Sequence, residues 1–367
     1  MSDAIVWYLL VTIFGLLAWP LAFRLLPGLP ERGYTLSRAL GLLLTGYIFW
    51  LLGSLGLLHN TAGGVLFSLL IVAGLSLWAY ATRPDKADSL LNWLKDHIRL
   101  VITSEALFLL AFAGWAVVRA YNPDISGTEK PMDLAFLNGI RASRSFPPHD
   151  PWLSGYAISY YYFGYLIVAM LSRLGGIPGE VAFNLAIALL FALTLLGSYG
   201  VVYNLIAASA EGDDRPRGVA FGALLGPIFV GVMGNLEGFF ELLRALNLPF
   251  LGSGFWRWLD IVDLNEPLPG GALWPPDRWR FWWWWRASRV IHERTIAGES
   301  FWYQPIDEFP FFSFLLGDMH PHVLVLPFVL LALGLAFNLL AQRGRITRAQ
   351  VALYTVCIGG LAFLNTW

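Results

Sequence analysis

Charge is what this sequence has least of. Only 13% of its 367 residues are Asp, Glu, Lys or Arg, about half the share of a soluble globular domain. So few charges cannot solvate the surface of a chain this long, which excludes a water-soluble enzyme. A disordered chain is excluded too, because it would be polar and poor in aromatics. The net charge is −1, so no global basic field points to nucleic acid. Cysteine is nearly absent. Cys357 stands alone inside an apolar run, so no disulfide can form within the chain and no redox compartment can be read from it. The Walker lysine motif, GxSxG, CxxC and HExxH are all missing, which leaves nucleotide hydrolysis on the cytoplasmic side without support.

What is present is apolar and aromatic. Hydrophobic residues make up 57%, aromatics reach 16% with 17 Trp, and the mean hydropathy is +0.60. A spanning helix needs about 20 mostly apolar residues. Runs 5–26, 36–58, 63–80, 100–118, 177–207, 218–242, 322–340 and 349–364 qualify on a generous count. The sequence therefore predicts an all-α polytopic membrane protein with about eight transmembrane helices. The first run has no basic segment before it and no cleavage site after it, so it reads as an anchor.

Lys and Arg in short loops set the orientation. Basic residues fill 27–38, 83–99, 211–217 and 342–348, whereas 59–64 has none. Placing the four basic loops in the cytoplasm puts the N-terminus outside, together with two large loops, 121–174 and 247–319. That arrangement requires the apolar stretch 157–174 not to cross. Tyr156, Tyr160, Tyr161, Tyr162 and Tyr165 suit a helix lying in the outer interface or dipping partway in.

Chemistry is expected in those two loops. They hold most of the acids outside the basic loops and four of the six histidines: His149, His292, His320 and His322. Residues 127–141 predict a helix with Pro131 in its first turn. At about 100° per residue, Asp133 falls on the same face as Phe136, Leu137 and Ile140. Two readings are open at that point: an acid that answers the helix dipole, or a carboxylate aimed into a cavity. Prolines 147, 148 and 151 make the next stretch a stiff connector.

In the second loop, four consecutive Trp, 282–285, are flanked by Arg278, Arg280, Arg286, Arg289 and Arg294. The cluster reads as an aromatic belt with snorkelling arginines, or as a wall that binds a lipid headgroup phosphate. The loop closes with Asp318-Met-His320-Pro-His322. Pro321 keeps His320 extended, and an extended Asp-x-His-x-His would place three metal ligands on one side. The plainer reading is a polar helix start whose side chains satisfy backbone groups. Asn184, Asn204, Asn235, Glu237 and Glu241 stand out inside the runs as polar groups at membrane depth, with Glu237 near the outer end, where it can reach water.

These motifs carry a resemblance. Glu129-Lys-Pro-Met-Asp133, Phe146-Pro-Pro-x-Asp150-Pro-Trp-x-Ser-Gly155, Tyr160-Tyr161-Tyr162-Phe-Gly, Ala287-Ser-Arg-Val-Ile291, the stretch 308–322 and the closing Asn365-Thr-Trp resemble the "YYY" family of predicted membrane proteins. That family is defined by sequence as a domain of unknown function. The resemblance covers roughly 100–367, with the three helices in 1–99 as an N-terminal addition. More distantly it resembles the GT-C class of glycosyltransferases, which use polyprenyl-phosphate-linked sugars. The resemblance implies a catalytic carboxylate at Asp133 or Glu129. It also implies a substrate site near Arg286, Arg289, Tyr161, Tyr162, Asp318, His320 and His322.

On that reading Asp133 is the general base in sugar transfer on the outer face. Arginines would stabilise the leaving phosphate, and Mg or Mn would sit at Asp318, His320 and His322 if a metal is used. The expected partners are a lipid-linked sugar donor and membrane lipid, without nucleic acid, in the cytoplasmic membrane of a prokaryote. The two outer loops are then expected to bring Asp133 close to the 318–322 segment. The rivals are a lipid or solute transporter and a non-enzymatic subunit of a larger membrane complex.

Overall fold

The computed structural model describes residues 2–209, 218–246, 251–262, 264, 287–301, 305–342 and 344–365. Among the described residues the chain is helical, with isolated bridges at His149–Ala157 and Arg294–Ser300 and no longer strand. Among the described residues six helices are long and apolar enough to cross a membrane: Ser2–Leu25 (α1), Ser37–Ser54 (α2), Ala62–Ala81 (α3), Ile98–Tyr121 (α5), Gly179–Ala208 (α8) and Pro321–Ala341. A short helix, Leu90–Asp96 (α4), leads into α5. The chain is thus an all-α, multi-pass integral membrane protein.

The chain divides into two compact units, residues 1–228 with 317–367, and residues 229–316. The first unit is organised around α8. This helix has 30 residues and is buried along most of its length. Helix α5 runs along it, and Pro321–Ala341 packs on it as well. Helices α1, α2 and α3 pack on one another within the same unit. One charge pair joins two of the spans, which lowers the cost of each ion in hydrocarbon. Arg38 of α2 grips Glu105 of α5 with two hydrogen bonds, 3.0 and 2.6 Å long, and Tyr34 donates to the same carboxylate at 2.8 Å. The helix Arg348–Leu364 starts with a capping box between Thr347 and Gln350, which satisfies two otherwise orphaned N–H groups.

Two expectations need correction. Run 218–242 is not one spanning helix. It breaks into Val219–Gly222, Leu225–Pro227, a π turn Ile228–Val232 and, after a non-helical stretch, Glu237–Ala245. Gly226-Pro227, Gly231 and Gly234 lie inside this run, and Pro227 can neither donate to the helix ladder nor fit its interior. Stretch 157–174 forms a helix only over Phe163–Gly175 (α7). At about 1.5 Å per residue its 13 residues reach roughly 20 Å, short of a bilayer core of about 30 Å. Its one tyrosine, Tyr165, is buried and not at a surface. Residues 163–172 are all buried, and α7 touches α1, α2, α3, α8 and both C-terminal helices. A short helix walled in on all sides has its polar groups answered by protein, and this positions the site below.

The second unit contains the described helices Glu237–Ala245, Ser253–Leu259 and Pro310–Leu316. Within it Asp260 accepts from Arg294 at 3.4 Å and lies 3.7 Å from His292. Glu237 is buried and does not reach water.

Candidate functional site

The predicted helix in the first outer loop is Lys130–Ala142 (α6), with Pro131 in its first turn. Asp133, Phe136, Leu137 and Ile140 are all buried on one face, as their spacing implied. That face packs on α7 and α8. The C-terminal end of α6 is held by Asn60, from the turn between α2 and α3. Its amide donates to the carbonyls of Ile140 and Ser143 at 2.7 and 2.9 Å.

Asp133 has no solvent exposure. The phenol of Tyr165, in the first turn of α7, donates to its Oδ1. The Asp318 carboxyl is its hydrogen-bonding neighbour. Burial, and then that hydrogen bond with Asp318, push Asp133 up to about 9, while the Tyr165 bond pulls the other way. Burial and the neighbouring carboxyl both favour the neutral form of Asp133. Lys130, three residues before Asp133, is pulled down by burial and then by Arg119, with Asp318 opposing. The turn at 317–318 sits against Arg119, whose Nε donates to Asn184 at 2.9 Å. Gly317 has φ +69°, and a Cβ there would lie 2.2 Å from the Arg119 guanidinium.

Glu129, one turn before Asp133, has the opposite environment. Its side chain is 57% exposed and its Oε2 bonds His320 Nε2. His320 is extended, at φ −67° and ψ 155°, as its following proline demands. Tyr160 Oη lies 3.1 Å from His320 Nε2, and the Nδ1 atoms of His320 and His322 are 3.2 Å apart. One assignment of protons satisfies this chain: His322 donates to His320 Nδ1, and His320 donates from Nε2 to Glu129. Tyr160 is pushed up to about 12 by burial, then by Glu129 and Asp133.

Glu129 and His320 line an open cleft of ≈ 790 Å³, together with Met132, Ile158, Ser159, Tyr160 and Tyr161. Phe136 stacks beneath Tyr160 with ring centroids 5.3 Å apart. The cleft offers one exposed carboxylate, a histidine, two tyrosine rings and a serine hydroxyl. That set suits a polar, ring-shaped, hydroxyl-bearing ligand.

The structure thus brings Asp133 and the 318–322 segment together, as expected, but sorts the predicted residues differently. Asp133 does not line the cleft; Glu129 does. Tyr161 lines it, whereas Tyr162 turns toward α2 and accepts from Trp50 Nε1 at 2.8 Å. Arg289 belongs to the second unit and donates to Ser288 at 2.9 and 2.6 Å. Arg286 and the tryptophans 282–285 lie outside the described residues. The metal expectation does not fit. Asp318 is committed to Asp133, and the Nδ1 atoms of His320 and His322 face one another, so their lone pairs do not converge on a third point. Among the described residues no three His, Cys, Asp or Glu side chains are arranged to hold a metal ion. Tyr165 and Arg119 were not singled out as site residues. A tyrosine in an apolar helix and an arginine at a helix end gave no signal of their partners.

No curated protein and no solved structure matches the chain. The family model described as an uncharacterized membrane protein, DUF2298, matches residues 44–367 and so begins well before the motifs at 129–162. The chain belongs to that family.

Proposed function

We propose that this protein is a membrane transferase of the glycosyltransferase type, in which Glu129 is the general base of the cleft. The observation that carries the reading is the Glu129–His320 pair on the wall of an open, tyrosine-lined cavity. The resemblance in sequence to polyprenyl-phosphate-dependent glycosyltransferases supplies the chemistry. Glu129 takes the proton of an acceptor hydroxyl as its oxygen attacks the anomeric carbon of the sugar. The bond from that carbon to the donor phosphate breaks, and the lipid phosphate leaves with the electron pair. His320, held by His322, orients the Glu129 carboxylate. Tyr160 and Tyr161 offer rings for the apolar face of a sugar. Asp133 is not the base in this scheme, because it is already protonated and faces Tyr165. In this reading the cleft faces outward, because the basic loops suit the cytoplasm, and the membrane is the cytoplasmic membrane of a prokaryote.

A second reading has its own support. Trp152, Leu153 and Tyr156 are exposed at 59%, 62% and 69%, and an apolar tip of this kind suits a non-enzymatic subunit of a larger membrane complex.

The test is sugar transfer from polyprenyl-phosphate donors in membranes that contain the protein. Glu129→Gln is expected to lower turnover by roughly 10²–10⁴-fold with abundance unchanged. Full transfer by Glu129→Gln would remove the base. No transfer by the wild-type chain with any such donor would favour the subunit reading.

A further inference from the structure

We infer that Asp133 and Asp318 share a single proton at neutral pH, and that this buried acid pair positions both halves of the Glu129–His320 dyad. Asp133 is fully buried and Asp318 is 8% exposed. Asp133 Oδ1 is answered by Tyr165. Its Oδ2 and the Oδ1 of Asp318 are both buried and have no donor. Two ionised carboxylates in contact repel in a site of low dielectric, and a buried acceptor without a donor is destabilising. One proton between them removes both penalties at once, because it turns one carboxyl into a donor to the other.

The groups that face the pair settle where the proton sits. Tyr165 of α7 points its hydroxyl at Asp133, and Glu129 adds a negative charge on the same side. The charge of Lys130 interacts with Asp318 and with Arg119. Positive charge near Asp318 and negative charge near Asp133 place the proton on Asp133. The mechanical consequence follows from the chain. Asp133 is on the helix whose N-terminal end carries Glu129, and Asp318 is two residues before His320. The shared proton therefore ties the segment that carries the base to the segment that carries its orienting histidine. The positioning role rests on the cleft reading above, whereas the shared proton does not.

Asparagine replaces the proton with a permanent donor. In Asp133→Asn the amide oxygen still accepts from Tyr165, and its NH₂ donates to Asp318. Purified protein in detergent is examined by infrared difference spectroscopy at neutral pH and by unfolding across pH. The folded-state value of Asp133 is raised. The stabilisation is therefore complete below the unfolded value of about 4 and is lost as pH rises toward about 9. Between those limits the wild-type folding equilibrium falls by up to about tenfold per pH unit. Asp133→Asn is expected to lose that slope. Asp133→Asn is expected to lose the protonated-carboxyl band that the pair contributes, and Asp318→Asn to keep the proton on buried Asp133 with the band shifted, because its hydrogen-bonding partner has changed.

Positioning is read from the His320 NMR signal, assigned by its loss in His320→Asn. The signal is expected to move in Asp133→Ala and to stay in place in Asp133→Asn. Should one variant fail to fold, the other carries the same infrared test. An unchanged band and slope in Asp133→Asn would overturn the shared proton. A His320 signal that does not move in Asp133→Ala would overturn the positioning. Both readouts are independent of sugar transfer, so they stand if the proposed activity fails.

Discussion

Substituting Gly317 by alanine strains the turn that delivers Asp318 to Asp133. Two costs add. Gly317 has φ +69°, a left-handed conformation that costs an L-residue roughly 1–2 kcal/mol. The new Cβ would also fall 2.2 Å from Arg119 Nη1. The guanidinium must then give way and lose its 2.9 Å bond to Asn184, and hydrogen bonds to charged groups contribute about 1.5–3 kcal/mol. The expected destabilisation is about 2.5–5 kcal/mol by this arithmetic. Gly127→Ala is the control. Its φ is +73° and nothing lies within 4 Å of a Cβ there, so it should cost only the backbone part, about 1–2 kcal/mol. Reversible unfolding by SDS in mixed micelles measures both. Equal losses at the two glycines would show that the Arg119 contact contributes nothing. A Gly317→Ala protein as stable as wild type would refute the whole account of the turn.

Asn60→Ala removes both donors that hold the end of α6 and leaves the carbonyls of Ile140 and Ser143 unanswered. A loss of about 1–3 kcal/mol is expected in the same unfolding assay, and none would remove Asn60 from the site's support. Cys357 is 2% exposed and is the one cysteine of the chain. Thiol reagents should leave the folded protein unlabelled and label it fully in SDS. Prompt labelling of folded protein would contradict the packing of the helix Arg348–Leu364. The Glu129→Gln and Asp133→Asn proteins should part company in function. The first is expected to lose transfer and keep its pH response, and the second to keep the base and lose that response.

The sequence by itself determined the solvent of this protein and the faces of its elements. A chain with 13% charged residues has to bury its helices in hydrocarbon, and runs of about 20 apolar residues mark where. The face of α6 was legible for the same reason: a 3.6-residue period places Asp133 beside Phe136, Leu137 and Ile140 whatever they pack on. His320 was legible as extended because Pro321 constrains it locally. The break in 218–242 was only half legible. Hydropathy counts apolar residues and does not see that Gly226-Pro227 interrupts the ladder.

Only the tertiary structure decided which acid does what. Glu129 and Asp133 sit on adjacent turns of one segment and look alike in sequence. Their difference comes from partners far along the chain. Tyr165 and Asp318 close over Asp133, and His320 stands beside an exposed Glu129. The charge state of a carboxyl is set by the burial and the donors around it, and those belong to the folded packing, not to the local run of residues.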